Sequence, residues 1–267
     1  MLFLLCLSEN SFVGWEDTMR DYEKEFTRRV AFIRDILAQS GARGIVFGNS
    51  GGKDSALVGI LCKAACPDTV GVILPCASQR NFGLDKDDGL AVAEKFAIET
   101  RTVDVTPVRA ALMTALEGVT TLTRDAVTNL APRLRMTTLY AIAAAEGRLV
   151  AGTGNASEYY MGYFTKWGDG AYDINPISDL TASEVWDFLR WLDCPACVVE
   201  KAPSAGLFDG QTDEADMGVT YAAIDRYLTT GEAAEADRAV IDRYHARSAH
   251  KRRDPRRYSD WEKENAQ

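Results

Sequence analysis

A glycine-rich stretch between two apolar segments limits what this chain can fold into more than any other feature. Residues 48–55 read Gly-Asn-Ser-Gly-Gly-Lys-Asp-Ser, with the apolar run 44–47 before them and the apolar run 56–61 after them. The first run is typical of a buried parallel strand, and Asp54 and Ser55 are typical of a helix N-terminus. A strand that turns through glycines into a helix presents backbone N–H groups and the positive end of a helix dipole. We therefore predict an anion site here.

The loop differs from a Walker A motif in a way that constrains its chemistry. Phe47 stands where that motif needs its first glycine, and Asp54 stands where it needs Ser or Thr after the lysine. An aspartate repels phosphate unless a cation lies between them, so Asp54 predicts Mg²⁺ together with substrate phosphates. The pattern Ser-Gly-Gly-x-Asp-Ser resembles the pyrophosphate loop of the N-type ATP pyrophosphatases. These enzymes cleave ATP to AMP and pyrophosphate and activate a substrate as its adenylate.

Length and charge narrow the class of protein. The chain has 267 residues, which fits one large α/β domain over 1–267. We expect 1–18 to be an N-terminal arm or an over-long start, and 251–267 to be a basic tail. With a net charge of −9 the chain would be a poor general nucleic-acid binder, so we expect no nucleic-acid partner. No apolar run approaches the roughly 20 residues that span a bilayer, so we expect no membrane association and a cytoplasmic location.

The chain alternates strand-like and helix-like segments, which predicts an α/β fold. Its architecture would be a doubly wound parallel sheet with helices on both faces, and ligands would bind at the carboxyl ends of the strands. We predict a loop over 75–87. The predicted strands are 44–47, 69–74, 99–105 and 148–151. The predicted helices are 17–39, 56–61 with Asp54 and Ser55 at its N-terminus, 88–96, 108–116, 129–146, 156–162, 181–192, 220–228 and 233–250.

Motifs beyond the loop point to one family. They read GTGNASE at 152–158, GYFTKWGDG at 162–170, KAPSAGL at 201–207, GQTDE at 210–214 and HKRR at 250–253. With the loop, and in this order, they make the chain similar to ammonia-dependent NAD synthetases from about Asp21 to Arg253. The resemblance also implies the fold of the adenine nucleotide alpha hydrolase-like proteins.

The resemblance implies a reaction and a set of partners. Such enzymes are homodimers that amidate deamido-NAD with ammonia to give NAD. The nicotinate carboxylate attacks the α-phosphorus of ATP, pyrophosphate leaves, and ammonia then displaces AMP from the acyl adenylate. Joining two anions requires cations, which agrees with Mg²⁺ as cofactor and ATP as co-substrate. A glutamine-dependent enzyme needs a second catalytic domain, for which no residues are left, so ammonia is the expected donor.

The resemblance also assigns roles to individual residues. Asp54, Lys166 and Asp169 would be catalytic, with Asp169 placed to take a proton from ammonium. Asp54 and Glu158 would hold the metal. The implied ATP contacts are Gly48, Asn49, Ser50, Gly51, Gly52, Lys53, Asp54, Ser55, Thr153 and Ser204, and the implied deamido-NAD contacts are Arg133, Lys166, Asp173, His250 and Lys251.

One position departs from the family pattern, and several residues have simpler explanations. Many members carry a phosphate-binding lysine where this chain has Ala182, so Lys53 or the basic tail would have to supply that charge. Asp169 is equally explained as a turn former between glycines. Arg133 with Arg135 also fits a solvated helix face. The aromatic residues of the 162–170 motif fit either stacking on a pyridine ring or packing.

Two other functions remain open on the sequence. The chain fits another N-type ATP pyrophosphatase, amidating or thiolating, or a non-catalytic nucleotide-binding paralogue. Thiolation requires reactive cysteines near the loop, where Cys62 and Cys66 are the candidates and are predicted to be core residues. Cys194 and Cys197 form an isolated C-x-x-C pair, for which zinc or redox use is the alternative to plain thiols.

Overall fold

The computed structural model describes residues 20–201 and 212–265 of the chain. The expected N-terminal arm and the predicted ATP contact Ser204 lie outside the described residues. The strands are β1 (Gly44–Gly48), β2 (Thr69–Ile73), β3 (Glu99–Thr102) and β4 (Arg148–Ala151). The helices are α1 (Tyr22–Ser40), α2 (Lys53–Ala65), α3 (Gln79–Phe82), α4 (Leu84–Lys95), α5 (Thr106–Leu116), α6 (Arg124–Thr128), α7 (Leu130–Glu146), α8 (Ala156–Met161), α9 (Ala182–Trp191), α10 (Ala196–Val199), α11 (Asp213–Met217), α12 (Tyr221–Thr230), α13 (Glu235–Arg247), a 3₁₀ turn (Ala249–Lys251) and α14 (Tyr258–Asn265).

The strands form a parallel four-stranded sheet in the order β3-β2-β1-β4. The crossover lies between β1 and β4, where Val46 pairs with Val70 on one side and with Val150 on the other. Ligands bind where the strand order reverses and the carboxyl ends of neighbouring strands diverge. The predicted α/β class and the parallel sheet are confirmed.

Alternating side chains of β1 build the core on both faces of the sheet. Ile45 and Phe47 are buried among residues of α1, α2 and α9, whereas Val46 is buried with residues of α7 such as Leu139. This alternation follows from the two-residue period of a strand. A third apolar cluster joins α8 to α12 and α13 through side chains such as Met161 and Ile241. Within the described ranges, no helix has the length and apolar character that a bilayer crossing requires.

The structure corrects the predicted loop over 75–87. This segment contains α3 and the first residues of α4, which begins at Leu84 after Gly83. Asp85 and Asp87 lie in the first turn of α4, where acidic side chains complement the helix dipole. The apolar pattern alone misses this start because α4 opens with charged residues. The strand predicted over 99–105 is also shorter, since α5 begins at Thr106 after a three-residue connection.

A buried carboxylate holds the third cluster to the rest of the fold. Asp225 on α12 is 6% exposed and accepts hydrogen bonds from the Ser157 hydroxyl, the Ser183 hydroxyl and the Ser183 backbone N–H. Ser157 lies on α8 and Ser183 on α9, so one side chain connects three helices. A buried carboxylate is tolerated because each of these donors compensates its lost hydration.

We expect Asp225→Ala to lower the free energy of unfolding by about 3 kcal/mol, because one buried donor and two partly buried donors would lose their acceptor. Chemical denaturation followed by circular dichroism measures this change. Glu232→Ala is the matched control, since Glu232 pairs with Arg226 in an exposed ion pair near the end of the same helix and such pairs contribute little. Equal losses in the two variants would contradict the assigned role of Asp225.

Candidate active site

A cavity of about 830 Å³ lies at the carboxyl ends of β1, β2 and β4. Its wall is completed by the 162–170 segment and by the C-terminal residues around His250. The structure therefore brings together motifs that are more than 100 positions apart in the chain. The predicted site residues that line the cavity are Gly48, Asn49, Ser50, Gly52, Lys53, Asp54, Ser55, Thr153, Glu158, Asp169, His250 and Lys251.

Three predicted deamido-NAD contacts lie outside the lining of this cavity in the described chain. Arg133 is exposed, and its guanidinium lies 3.5 Å from the backbone oxygen of Lys166. The Asp173 carboxylate accepts the Val150 N–H at 2.8 Å and the Tyr140 hydroxyl at 3.1 Å. Lys166 likewise donates to backbone oxygens rather than facing the cavity.

The turn from β1 into α2 is held in one conformation. Gly51 has φ +69°, and a Cβ built on it would lie 2.0 Å from the backbone oxygen of Asp85, so the site accepts only glycine. The Ser50 hydroxyl accepts the Gly52 N–H at 3.3 Å and lies 3.1 Å from the Ser55 hydroxyl. The N-terminus of α2 is thus fixed toward the cavity, as an anion site requires.

The carboxylates of Asp54 and Glu158 come from neighbouring strand ends and meet in the cavity. Asn155 joins them, since its side-chain amide donates to Asp54 Oδ1 at 2.9 Å and its backbone N–H donates to Glu158 Oε2 at 3.1 Å. Asn155 and Glu158 also form the capping box of α8. Burial, followed by the negative charge of Asp54, raises the pKa of the Glu158 carboxyl well above its usual range.

This donor set fits Mg²⁺. Within the described residues, no group of three or more His, Cys, Asp or Glu side chains is arranged to hold a metal ion. Two carboxylates with further oxygens from substrate phosphates are nevertheless the usual environment of Mg²⁺. The two acids repel each other in a buried position, as the raised pKa of Glu158 indicates, and a divalent cation would relieve that repulsion.

Two lysines, Lys166 and Lys251, connect the 162–170 motif to the 250–253 segment by hydrogen bonds. Lys166 Nζ donates to the backbone oxygens of His250 at 2.6 Å and Arg253 at 3.0 Å. Lys251 Nζ donates in the opposite direction, to the backbone oxygens of Gly162 at 2.8 Å and Phe164 at 2.6 Å. The two lysines therefore close one side of the cavity without using any carboxylate.

Asp169 is an acid that lines this side of the cavity. Its carboxylate accepts the Thr165 backbone N–H at 2.9 Å, the geometry of a turn former. Burial raises the pKa of Asp169, whereas the charges of Lys251 and Arg135 act to lower it. The carboxylate therefore stabilises the turn and also lines the cavity, and its role as a base stays a prediction.

A polar chain that the sequence did not single out crosses the cavity floor. Lys201 Nζ donates to Asp85 Oδ1 at 2.8 Å and to the backbone oxygen of Gly51 at 3.3 Å. Asn81 then donates to Asp85 Oδ2 at 2.9 Å and accepts from Arg135 at 2.9 Å. The pyrophosphate loop is thereby connected to a guanidinium deep in the cavity wall. The four-residue spacing of Asn81 and Asp85 could have indicated that their side chains meet on a helical segment. The prediction of a loop over 75–87 hid that possibility.

Arg135 rather than Arg133 is the arginine that lines the cavity. It donates to the backbone oxygen of Leu74 at 2.9 Å as well as to Asn81. Neither acceptor carries a charge, so the guanidinium keeps its positive charge available to an anion in the cavity. Burial lowers the pKa of Arg135.

Ala182, which stands where many family members carry a lysine, lies at the start of α9. Ala182 is fully buried, and its backbone N–H donates to the Ser157 hydroxyl at 3.1 Å. Lys53 Nζ lies 5.0 Å from the ring centre of Trp186, one turn farther along α9, and 5.4 Å from that of Tyr221. A lysine is thus present beside the α9 surface on which Ala182 lies.

The structure gives positions for several of the cysteines and aromatic residues singled out in the sequence. Cys62 and Cys194 are buried in the apolar core, and burial raises the pKa of the Cys194 thiol to about 12. Phe164 lines the cavity and stacks on Tyr159 with ring centres 5.9 Å apart. Trp167 is 53% exposed.

Comparisons with known proteins agree on one family. A family model described as NAD synthase matches residues 25–261. The NH(3)-dependent NAD(+) synthetase of Carboxydothermus hydrogenoformans is 42% identical to the chain over 238 residues, which cover 88% of this chain and 97% of that protein.

Solved structures with the same fold include an NMN synthetase and an NAD+ synthetase. The NMN synthetase of Francisella tularensis has a TM-score of 0.84 and 38% identity, covering 89% of this chain and 98% of its own. The NAD+ synthetase of Burkholderia pseudomallei has a TM-score of 0.72 and 32% identity, covering 88% of this chain and 91% of its own.

We expect Gly51→Ala to weaken nucleotide binding by about tenfold or more, because its Cβ would collide with the backbone of Asp85 and distort the loop. Isothermal titration calorimetry with ATP measures the loss. Gly118→Ala is a matched control, since Gly118 has φ +78° but no atom within 4 Å of a built Cβ. The Gly118→Ala variant therefore has the same strain of an alanine at positive φ, at a position outside the loop. A Gly51→Ala variant that binds ATP like Gly118→Ala would contradict the assigned loop geometry.

Proposed function

The chain belongs to the NAD synthase family, and from this premise we propose how its cavity carries out the reaction. Membership makes it a ligase that uses ATP to amidate deamido-NAD with ammonia, giving NAD. The observation that carries the proposal is the convergence of the Asp54 and Glu158 carboxylates beside a phosphate loop in one cavity. This arrangement suits transfer of an adenylyl group with pyrophosphate as leaving group.

The first step joins two anions and depends on positioning and charge. The nicotinate carboxylate attacks the α-phosphorus of ATP, the bond to the β-phosphate breaks, and an acyl adenylate and pyrophosphate form. The N–H groups at the start of α2, with the Ser50 and Ser55 hydroxyls, bind the leaving pyrophosphate. Thr153 lines the same cavity and is the proposed contact to ATP, together with Ser204. Mg²⁺ held by Asp54 and Glu158 would offset the charge that develops.

The second step needs free ammonia in a site from which water is excluded. Asp169 takes a proton from ammonium, since burial raises the pKa of its carboxyl and makes it a better base. The ammonia then attacks the acyl carbon, and AMP leaves with both electrons of the broken C–O bond. Lys251 and Arg135 lie near enough to affect Asp169 electrostatically, and their charges also favour an anionic intermediate.

The proposed dinucleotide contacts divide into two groups. His250 and Lys251 line the cavity, whereas Arg133, Lys166 and Asp173 lie around its outer side. We assign the inner group to the part of the substrate that reacts and the outer group to the adenosine portion. Lys166 would exchange a backbone oxygen for a substrate phosphate, which forms the stronger hydrogen bond.

A homodimer is the proposed assembly. Helix α5 has no buried residue, and Val108 and Leu112 on it are 53% and 37% exposed. An apolar helix face of this kind is stabilised when a second copy covers it.

We place the reaction in the cytoplasm, because the five described cysteines are free thiols, as is usual in that compartment.

Nicotinate mononucleotide is a second candidate for the acid that is amidated. The observation that favours it is the similarity to the Francisella NMN synthetase, whose TM-score of 0.84 exceeds the 0.72 of the Burkholderia enzyme. The amidation chemistry is the same for both acids. They differ in the adenylate portion that the outer residues would bind. Thiolation has less support, because Cys62 is buried in the core.

The central assay offers each acid to the purified protein with ATP, Mg²⁺ and ammonium. We expect deamido-NAD to give NAD, AMP and pyrophosphate in equal amounts, measured by liquid chromatography, with nicotinate mononucleotide the poorer substrate by kcat/KM. The reverse ranking would favour the second candidate. Formation of ADP and phosphate would contradict both, because a carboxylate attacking the α-phosphorus releases pyrophosphate.

We expect Asp54→Asn and Glu158→Gln each to lower turnover by about a hundredfold or more, because each weakens the binding of the Mg²⁺ that would offset charge on the transferring group. Turnover is measured as AMP formed at a series of Mg²⁺ concentrations. Glu184→Gln is the matched control, since Glu184 forms the same capping box in α9 away from the cavity lining. Near-normal turnover of either site variant at low Mg²⁺ would remove that residue from the metal site.

A further inference from the structure

Both oxygens of the Asp54 carboxylate are bound by other parts of the chain. Oδ1 accepts from the Asn155 amide at 2.9 Å, and Oδ2 accepts from Lys53 Nζ at 2.6 Å. The Lys53 side chain is only 5% exposed, so its ammonium is removed from water although it lies at the first position of α2. The oxygen keeps a second lone pair, but a metal ion bound to it would lie close to the ammonium, and the two positive charges would repel each other.

The surroundings of Lys53 form a binding site for its ammonium. The rings of Trp186 and Tyr221 lie 5.0 and 5.4 Å away, within the range of cation–π attraction. Glu158 and Asp213 add negative charge around it. The Asp54 carboxylate, 2.6 Å from Lys53 Nζ, adds a third negative charge beside it. The lysine is therefore held as a cation among acids.

We propose that the Lys53 ammonium is the resident counter-ion of the acidic site, and that it must leave Asp54 when the metal–nucleotide complex binds. A divalent cation arriving alone would displace the ammonium and leave it buried without an equivalent partner, which is unfavourable. A cation arriving with a polyphosphate supplies new oxygens to Lys53, which is part of the phosphate-binding loop. The inference rests on the proposed ATP site and adds an order to its binding steps.

This exchange couples the two ligands. The metal ion binds weakly without nucleotide and much more tightly with it, and by thermodynamic reciprocity the nucleotide gains the same factor from the metal. Lys53 has a positioning role in the free protein and a phosphate-binding role in the complex. It thereby provides a positive charge beside the α9 surface where Ala182 has none.

Mn²⁺ binding to the full-length protein tests the exchange directly. Electron paramagnetic resonance counts free Mn²⁺ in titrations of wild type and Lys53→Met, which keeps the apolar stem beside Trp186. Without nucleotide, we expect Lys53→Met to bind Mn²⁺ about tenfold or more tightly than wild type, because a competing charge is removed. Lys53→Arg should stay as weak as wild type. The control is Lys63→Met, on the last turn of the same helix, where the lysine donates only to the Pro67 backbone oxygen.

The same titrations with α,β-methylene ATP give the second half of the test. Wild type should gain about tenfold or more in Mn²⁺ affinity when the analogue is present, and Lys53→Met should gain less. Equal Mn²⁺ affinities of wild type and Lys53→Met without nucleotide would overturn the inference. If Lys53→Met does not fold, the wild-type titration decides, since an affinity unchanged by the analogue also overturns it.

The Mn²⁺ titrations and the NAD-forming assay test the two proposals separately. A wild-type protein that makes NAD, with a Lys53→Met variant that gains no Mn²⁺ affinity, overturns only the exchange of the ammonium. A gain in Mn²⁺ affinity in a protein that amidates neither acid supports the exchange and overturns the proposed reaction.

Discussion

The hydrogen bond between Asp54 and Asn155 is the interaction on which the site depends. Asp54 lies in the first turn of α2 after β1, and Asn155 caps α8 after β4, so the contact joins the ends of two neighbouring strands. Because the backbone N–H of Asn155 also donates to Glu158, one residue holds both acids in place. The parallel sheet makes this possible, since adjacent strands deliver both loops to the same edge.

The charges of the cavity are distributed in a way that suits two chemical steps. Acids gather near the phosphate loop, where Lys53 is their described partner by hydrogen bond. The opposite wall carries Arg135 and Lys251, which approach Asp169. The chain of hydrogen bonds from Lys201 through Asp85 and Asn81 connects the loop to that wall. Pyrophosphate release and amide formation would therefore take place within one continuous polar framework.

Part of this organisation could be predicted from the sequence. The strand, glycine loop and helix around Gly51 are set locally, and GTGNASE contains the capping pair Asn155 and Glu158 three positions apart. Contacts between segments that are distant in the chain could not be predicted from these local patterns. Arg133 and Arg135 are two residues apart on a helix and so face different directions, but the helix pattern does not say which direction is the cavity. The position of Lys53 over Trp186 depends on how α2 packs on α9, which no local motif encodes.

The claim that most needs a direct measurement is that this cavity activates a carboxylate as its adenylate. Deamido-NAD labelled with ¹⁸O in its nicotinate carboxylate would be converted with ATP and unlabelled ammonium, and the products analysed by mass spectrometry. The account predicts one ¹⁸O atom in the phosphate of each AMP, because the carboxylate oxygen that attacks the α-phosphorus leaves with AMP. An AMP without label, or label found in inorganic phosphate, would contradict it.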